Sequence, residues 1–507
     1  MERKTHFGPL LILLALFGLA VAELWPPSRA QSQLEFCDVV SGVVCVDSST
    51  IDLDDPNDEI PPAGGQFNVL TSVAPNVRVN RGNDSGRPQN EPYIAVNPAN
   101  PNYLVAGAND FYYGWPQSRC GFYRSTDGGG SWPDRGSLPL PQGLNWAGDP
   151  GLAFSPDGSR IFYSCLMWFH DDQTGERRNG SIYVVYSTDG GQTFPAANRK
   201  LVASGGGSVL NDKPFIAVDH SGSAHRGNVY VTWTAAEDTD ADTRFDTYHI
   251  NVARSTDNGV SFVDHAALSG SEPHEIFHGA LPFVGPDGTA YVVYVSWGSV
   301  GQLLMTSSTT GGASWSDPRV VADYVSLPLP PGALPGTKFR VNSFPTAAVD
   351  SLTGQIYLAW ADYRRGNADI FLTTSLNRGL TWNLPQNLTA GLADGGFDQF
   401  FPWLSVDPSG NVDLVYYSRF NTTKPHFNLF HQRSGPGGGS FGSPVQVNDV
   451  GPIRGGTQFN GERIGDYIGV VSGPVKTHAV WMDTRRTQPN SNRRQQDIFS
   501  AAVTVTP

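Results

Sequence analysis

From Asn90 onward the chain repeats one order of apolar and polar stretches. An acidic or polar residue and a proline lead into a short apolar run, then a turn, a second run, a variable polar loop and a third run. The leading runs are Pro92–Val96, Pro150–Phe154, Pro214–Val218, Pro282–Val284, Pro345–Val349, Pro402–Val406 and Tyr467–Val471. Runs this short, bounded by turn residues, predict strands. Asn97-Pro98, Ser155-Pro156-Asp157-Gly158, Pro286-Asp287-Gly288 and Asp407-Pro408-Ser409-Gly410 have the residue types that tight turns demand. Seven units of this kind predict an all-β protein built by repetition.

The third runs of the first six units lead into a second pattern, S-x-D-x-G-x-[ST]-[WF], complete or degenerate. It is complete at Ser125–Trp132, Ser187–Phe194 and Ser255–Phe262, centred on Asp127, Asp189 and Asp257. Weaker copies keep the frame with Thr310, Asn377 and Pro436 in the Asp position. The Asp can accept hydrogen bonds from the turn, the Gly permits a positive φ, and the aromatic can pack the turn on a neighbouring sheet. Copies recur every ~50–70 residues, the period of a propeller blade with long loops. The pattern resembles the Asp-box (BNR) repeat of the sialidase (neuraminidase) superfamily, over nearly all of the chain from about Asn68.

The expected fold is therefore a β-propeller of four-stranded antiparallel blades, residues 68–507. Seven blades are favoured over six, although known sialidases have six. Trp360-Ala361-Asp362-Tyr363-Arg364-Arg365 is nearly repeated as Trp481-Met482-Asp483-Thr484-Arg485-Arg486, which makes the last segment a seventh unit without an Asp box. Asn76–Asn80 resembles Pro444–Asn448, the fourth strand of the sixth unit, so the N-terminal strand is expected to close the last blade.

Residues 1–22 read as a secretory signal peptide, with Arg3 and Lys4 before an apolar run that ends in Ala20-Val21-Ala22. Residues 23–67 read as an acidic leader. The expectation is a secreted, extracellular or periplasmic monomer with no membrane anchor after cleavage. A net charge of −13 with no basic stripe argues against nucleic acid as a partner. In an exported chain the four cysteines are expected to pair, Cys37 with Cys45 and Cys120 with Cys165, although four cysteines allow three connectivities.

In a four-stranded blade the residues before each first strand and in each second-to-third loop share one face, and the Asp-box turns lie on the other. The Asp-box residues are thus structural. The first-strand set includes Glu91, Asp149, Asp212, His278, Asp398 and Asp466, with Arg340 and Arg463 nearby. Carboxylates crowded around one mouth raise each other's pKa, which suits acid–base chemistry.

The family resemblance implies hydrolysis of terminal sugars on glycans or glycoproteins. It brings three substrate-binding arginines, a tyrosine nucleophile paired with a glutamate, and an aspartate acid/base. Where that pattern opens its first blade with an arginine, this chain has Asn90-Glu91-Pro92. Glu462 is the only Glu after Glu275, so a late pair must use it with Tyr467 or Tyr363. Arg340, Arg364, Arg463 and Arg485 are the candidate anion ligands, since guanidinium meets carboxylate in bidentate fashion. The alternative is a non-catalytic propeller that binds glycan or protein at the cell surface.

Two metal patterns compete with this. His274-Glu275-Ile276-Phe277-His278 matches the zinc-protease signature, but Pro273, Gly279 and Pro282 leave scarcely one helical turn, so a surface loop is expected. Asp238, Asp240 and Asp242 alternate as calcium ligands do, without the Gly and Glu of an EF-hand. No cofactor is expected beyond a structural calcium there.

Overall fold

A computed structural model describes residues 71–505, apart from 83–84, 172, 175–176, 207, 239–244, 270–275, 298–300, 329–333, 391–396, 421–422 and 456–457. The expected signal peptide and leader, with Cys37 and Cys45, lie outside the described residues, as do Asp240, Asp242, His274 and Glu275. Seven antiparallel sheets follow one another along the chain, and their strands pair in sequence order. This is a seven-bladed β-propeller, not a six-bladed one.

The innermost strands of blades I to VII are Gln89–Val96, Trp146–Phe154, Val209–Val218, Ile276–Val284, Thr346–Val349, Gln399–Val406 and Gly469–Ser472. In blade VII the third strand, Arg494–Val505, pairs outward with Thr71–Val73 and Val77–Arg78, in the register Thr71 to Val505 and Val77 to Ser500. The described residues contain no α-helix, only the 3₁₀ turns Ala196–Asn198 and Gln458–Gly461. No helix among them is long and apolar enough to cross a membrane.

The proline heads expected from the sequence are not strand starts. Most inner strands begin several residues earlier, and the ladder shifts register across Glu91-Pro92, Asp149-Pro150, Lys213-Pro214, Gly279-Ala280 and Phe401-Pro402. Proline has no N–H to offer a ladder, and a bulge is where a sheet tolerates it. The first residue of each bulge is left-handed, with φ of 52° at Glu91, 59° at Asp149, 50° at Lys213, 68° at Gly279 and 52° at Phe401. Outside glycine that conformation is strained.

The repeated turns on the opposite face show why their sequence recurs. Asp257 Oδ1 accepts from the Ser261 N–H at 2.9 Å, Oδ2 accepts from the Ser261 hydroxyl at 2.5 Å, and Ser255 Oγ accepts from the Gly259 N–H at 2.8 Å. The turns at Asp127 and Asp189 repeat the scheme. Partial burial opposes ionisation of Asp257, but these hydrogen bonds outweigh it and lower its pKa to about 2. The turn aromatics pack on the preceding blade: Trp132 donates its indole N–H to Ser500, and Phe194 lies 4.8 Å from Phe122. Blades I and II are also joined by the Cys120–Cys165 disulfide, from a third strand to the next blade's second strand.

Candidate functional site

The bulges aim their side chains at the propeller axis, and there the charges meet. Lys213 Nζ lies 2.6 Å from Asp466 Oδ2, 3.3 Å from Asp149 Oδ1 and 3.7 Å from Glu91 Oε2. Arg340 grips Asp466 with both Nε (3.0 Å) and Nη2 (2.5 Å), and Arg463 Nη2 donates to Glu91 Oε1 at 2.9 Å. All six side chains are buried. Three carboxylates against three cations make such a cluster tolerable in the interior, where an unpaired charge would be prohibitive. Burial pushes Glu91 up to about 8 despite Lys213 and Arg463, and Asp466 and Asp149 push the same way.

An amide chain orients the cluster. Asn109 Oδ1 accepts from the Asp149 N–H at 2.8 Å, Asn90 Nδ2 donates to Gln496 Oε1 at 3.0 Å, and Gln496 Nε2 donates to the Arg463 carbonyl at 2.6 Å. Asn342 Nδ2 donates to the Asp466 carbonyl at 2.9 Å. Gly465 has φ of 92°, and a Cβ there would stand 2.8 Å from the Glu91 nitrogen, so only glycine lets blades VII and I approach this closely.

Beneath the ions four aromatic rings from four blades close the axis. Tyr93 lies 5.4 Å from Trp403 and 6.1 Å from Phe215, and Tyr467 lies 5.3 Å from Phe215 and 5.9 Å from Trp403. Three of them directly follow a bulge proline. Tyr467 thus belongs to a plug: its hydroxyl donates to the Pro150 carbonyl at 3.2 Å. Burial holds its pKa far above the ordinary range, and Glu91 is the foremost carboxylate adding to that.

Above the cluster, between blades I, II and III, is a narrow cleft, partly open to solvent, with about 30 Å³ of water-accessible space. Asp149, Asp212, Arg177, Arg463, Phe111 and Trp168 are among its lining residues. The Trp168 indole N–H is buried and has no hydrogen-bond partner among the described residues. A larger groove lies between blades VI and VII on the turn face. Its charged groups serve each other, Arg433 bonding Asp407 and Asp413, and His431 bonding Asp413. The loop-face cleft is therefore the candidate site.

The structure brings together Glu91, Asp149, Asp466, Arg340, Arg463 and Tyr467. Lys213, Asn109 and Gln496 were not anticipated. The register of Asp212-Lys213-Pro214 against Asn90-Glu91-Pro92 and Gly148-Asp149-Pro150 is the signal that finds Lys213. Asp212 sits one position off the bulge, with Oδ2 3.8 Å from His278 Nε2, whose Nδ1 is 2.7 Å from Thr234 Oγ1. His278 is accordingly a buried strand residue, which corrects the surface loop expected from the sequence.

Asp398 turns away from the axis to pair with Arg419 at 2.6 Å. Glu462 accepts from the Arg340 N–H through its carbonyl. Arg364 bonds Asp362 and the Asp323 carbonyl, and Arg485 bonds Asp483, Asp449 and Asn76. Asp398, Arg364 and Arg485 thus pair within their own blades and loops, and Glu462 touches the cluster through its backbone carbonyl on Arg340. Asp238 donates its N–H to the Ser208 carbonyl, and no group of three His, Cys, Asp or Glu suited to a metal occurs among the described residues.

No model of a known protein family matches the chain, and no curated protein does. Solved structures do. An ulvan lyase, bound to -[GlcA(1-4)Rha3S]-, superposes with a TM-score of 0.50 at 9% identity, over 82% of this chain and 94% of that one. A protein of unknown function from Dyadobacter fermentans gives 0.47 at 13% identity, over 86% and 99%. The Hadza microbial sialidase Hz136 gives 0.44 at 11% identity, over 78% and 76%. At these identities the likeness is one of fold.

Proposed function

We propose that the protein is an exported, glycan-active propeller of the sialidase-like, Asp-box type, which takes a terminal sugar in the loop-face cleft and hydrolyses its glycosidic bond. The observation that supports this is the pair of cleft-lining carboxylates in unlike surroundings. Asp149 faces Lys213 and has the role of the charged partner, base or nucleophile. Asp212, beside His278, has that of the proton donor. Arg463 and Arg177 orient an anionic substituent. Glu91, Asp466 and Tyr467 act from below by holding Lys213 and Asp149 in place. Its partners are glycans or glycoproteins, met as a monomer and without a cofactor, and a calcium at the Asp238 loop would be structural.

One observation favours a second reading, a propeller that binds glycan without cleaving it. Arg340, Arg463, Arg364 and Arg485 each already bond a protein carboxylate, so a ready-made three-arginine clamp is not what supports catalysis. The deciding experiment is turnover of a panel of fluorogenic glycosides, sialosides included, with and without EDTA. Asp149→Asn and Asp212→Asn are each expected to lower kcat/KM by ~10²–10⁴-fold, measured at a temperature where thermal unfolding shows each variant folded. Silence across the panel, with retention on a glycan array, would select the binding reading.

A further inference from the structure

Three large aromatic side chains are exposed among the described residues, and they stand within four positions of one another: Tyr112 and Tyr113, each 38% exposed, and Trp115, 43% exposed. The other large rings among the described residues are buried or half-buried, which sets this cluster apart as a surface. It lies in the loop between the second and third strands of blade I, on the same face as the cleft. It is also continuous with that cleft, because Phe111, which lines it, contacts Trp115 at 5.9 Å. Phe459 backs both rings, at 5.2 Å from Phe111 and 6.3 Å from Trp115.

Cations accompany the rings although the protein as a whole is acidic. The Arg87 guanidinium lies 5.0 Å over Trp115 and that of Arg135 5.8 Å over Tyr112. Arg119 packs beneath the loop, against the position of Gly114. Its guanidinium donates to the backbone carbonyls of Ser118 and Asn145 and, among the described residues, meets no carboxylate. Half-buried and without an anion, it is short of a counter-charge, and burial lowers its pKa for that reason. Arg177 continues the positive strip into the cleft.

Flat exposed rings offer stacking faces to the C–H faces of sugar rings, and guanidinium offers paired donors to carboxylate or sulfate. We infer that the Phe111–Trp115 loop and Arg119 form an extended saccharide subsite, so that the ligand is an anionic oligosaccharide reaching from the cleft across blade I, not a terminal sugar alone. This rests on the glycan reading of the cleft and deepens it.

Isothermal titration of the full chain with galacturonic acid, hexagalacturonate, a sulfated heparin hexasaccharide and neutral cellohexaose tests it. Hexagalacturonate, the sulfated hexamer or both should bind about tenfold or more tightly than the monomer, and cellohexaose more weakly than either anionic chain that binds. The difference between the two anionic hexamers assigns carboxylate or sulfate. Tyr112→Ala/Tyr113→Ala and, separately, Trp115→Ala should bring the hexamer-to-monomer ratio towards one, with thermal midpoints recorded to show folding. Arg119→Gln should weaken the anionic chain and leave cellohexaose as it was.

Length-independent affinity, or aromatic variants that keep the full ratio, would overturn the subsite. Equal binding of neutral and anionic hexamers would overturn its charge selectivity. The outcome is separable from the hydrolysis reading. Small-glycoside turnover with length-independent binding sinks only the subsite, whereas length-dependent binding without turnover sinks only hydrolysis.

Discussion

Glu91, Asp149 and Lys213 share a backbone conformation that their side chains do not favour, and each precedes a proline that disfavours helical conformations before it. That strain persists because it delivers a charge to the axis. Lys213 is the hub. Lys213→Met removes the cation that Asp149 and Asp466 share and is expected to cost on the order of 3–5 kcal/mol, read from urea unfolding at neutral pH. Two carboxyls here and nearby also predict a pH dependence. Burial raises Glu91 from 4.5 to about 8 and Asp497 from 3.8 to about 7, so the folded state holds protons that the unfolded chain has released. Their contribution is complete below about pH 4 and is lost as pH rises through the folded values. Between pH 5 and 8 the denaturation midpoint should fall, and Glu91→Gln and Asp497→Asn should each flatten part of that decline. The acidic character of these positions was legible in the sequence; Lys213 was not, because Asp212 beside it has the expected residue type one place too early.

At the scale of the element, the S-x-D-x-G turn combines two demands in its glycine. Gly259 has φ of 78°, and a Cβ there would stand 2.3 Å from Phe162 Cε1 on the preceding blade. Gly259→Ala is therefore expected to lose about 3 kcal/mol, from left-handed strain and overpacking together. Gly227, with φ of 88° and open space around its Cβ, isolates the strain; Gly227→Ala should cost about 1 kcal/mol. Chemical denaturation of the two variants separates the effects. Only the positive φ could be read from the turn sequence, since the partner ring lies on another blade. The units themselves were legible because turn chemistry is local. The bulges were not, because a proline looks the same at the head of a strand as in the middle of one.

For the whole molecule, cohesion comes from each blade leaning on its predecessor, and the last blade has an N-terminal segment on its outer edge. Val79 is fully buried there, and its N–H donates to the Ile498 carbonyl. Asn80 Nδ2 donates to Asp497 at 2.7 Å, and Arg485 reaches Asn76 at 2.8 Å. Deleting residues 71–80 exposes the edge of Arg494–Val505 to other chains. Size-exclusion chromatography should then show self-association, and the thermal midpoint should fall. The seventh blade was readable from its duplicated Trp-x-Asp loop, whereas the meeting of charges at the axis depends on all the blades at once and had no local signature.

The rings of Tyr93, Phe215, Trp403 and Tyr467 give the propeller a floor as well as walls. A doughnut with an open bore could let a polymer slide through and be worked on at each step. This one is stoppered. On the proposed glycan reading, a saccharide enters and leaves across the loop face and does not thread the bore.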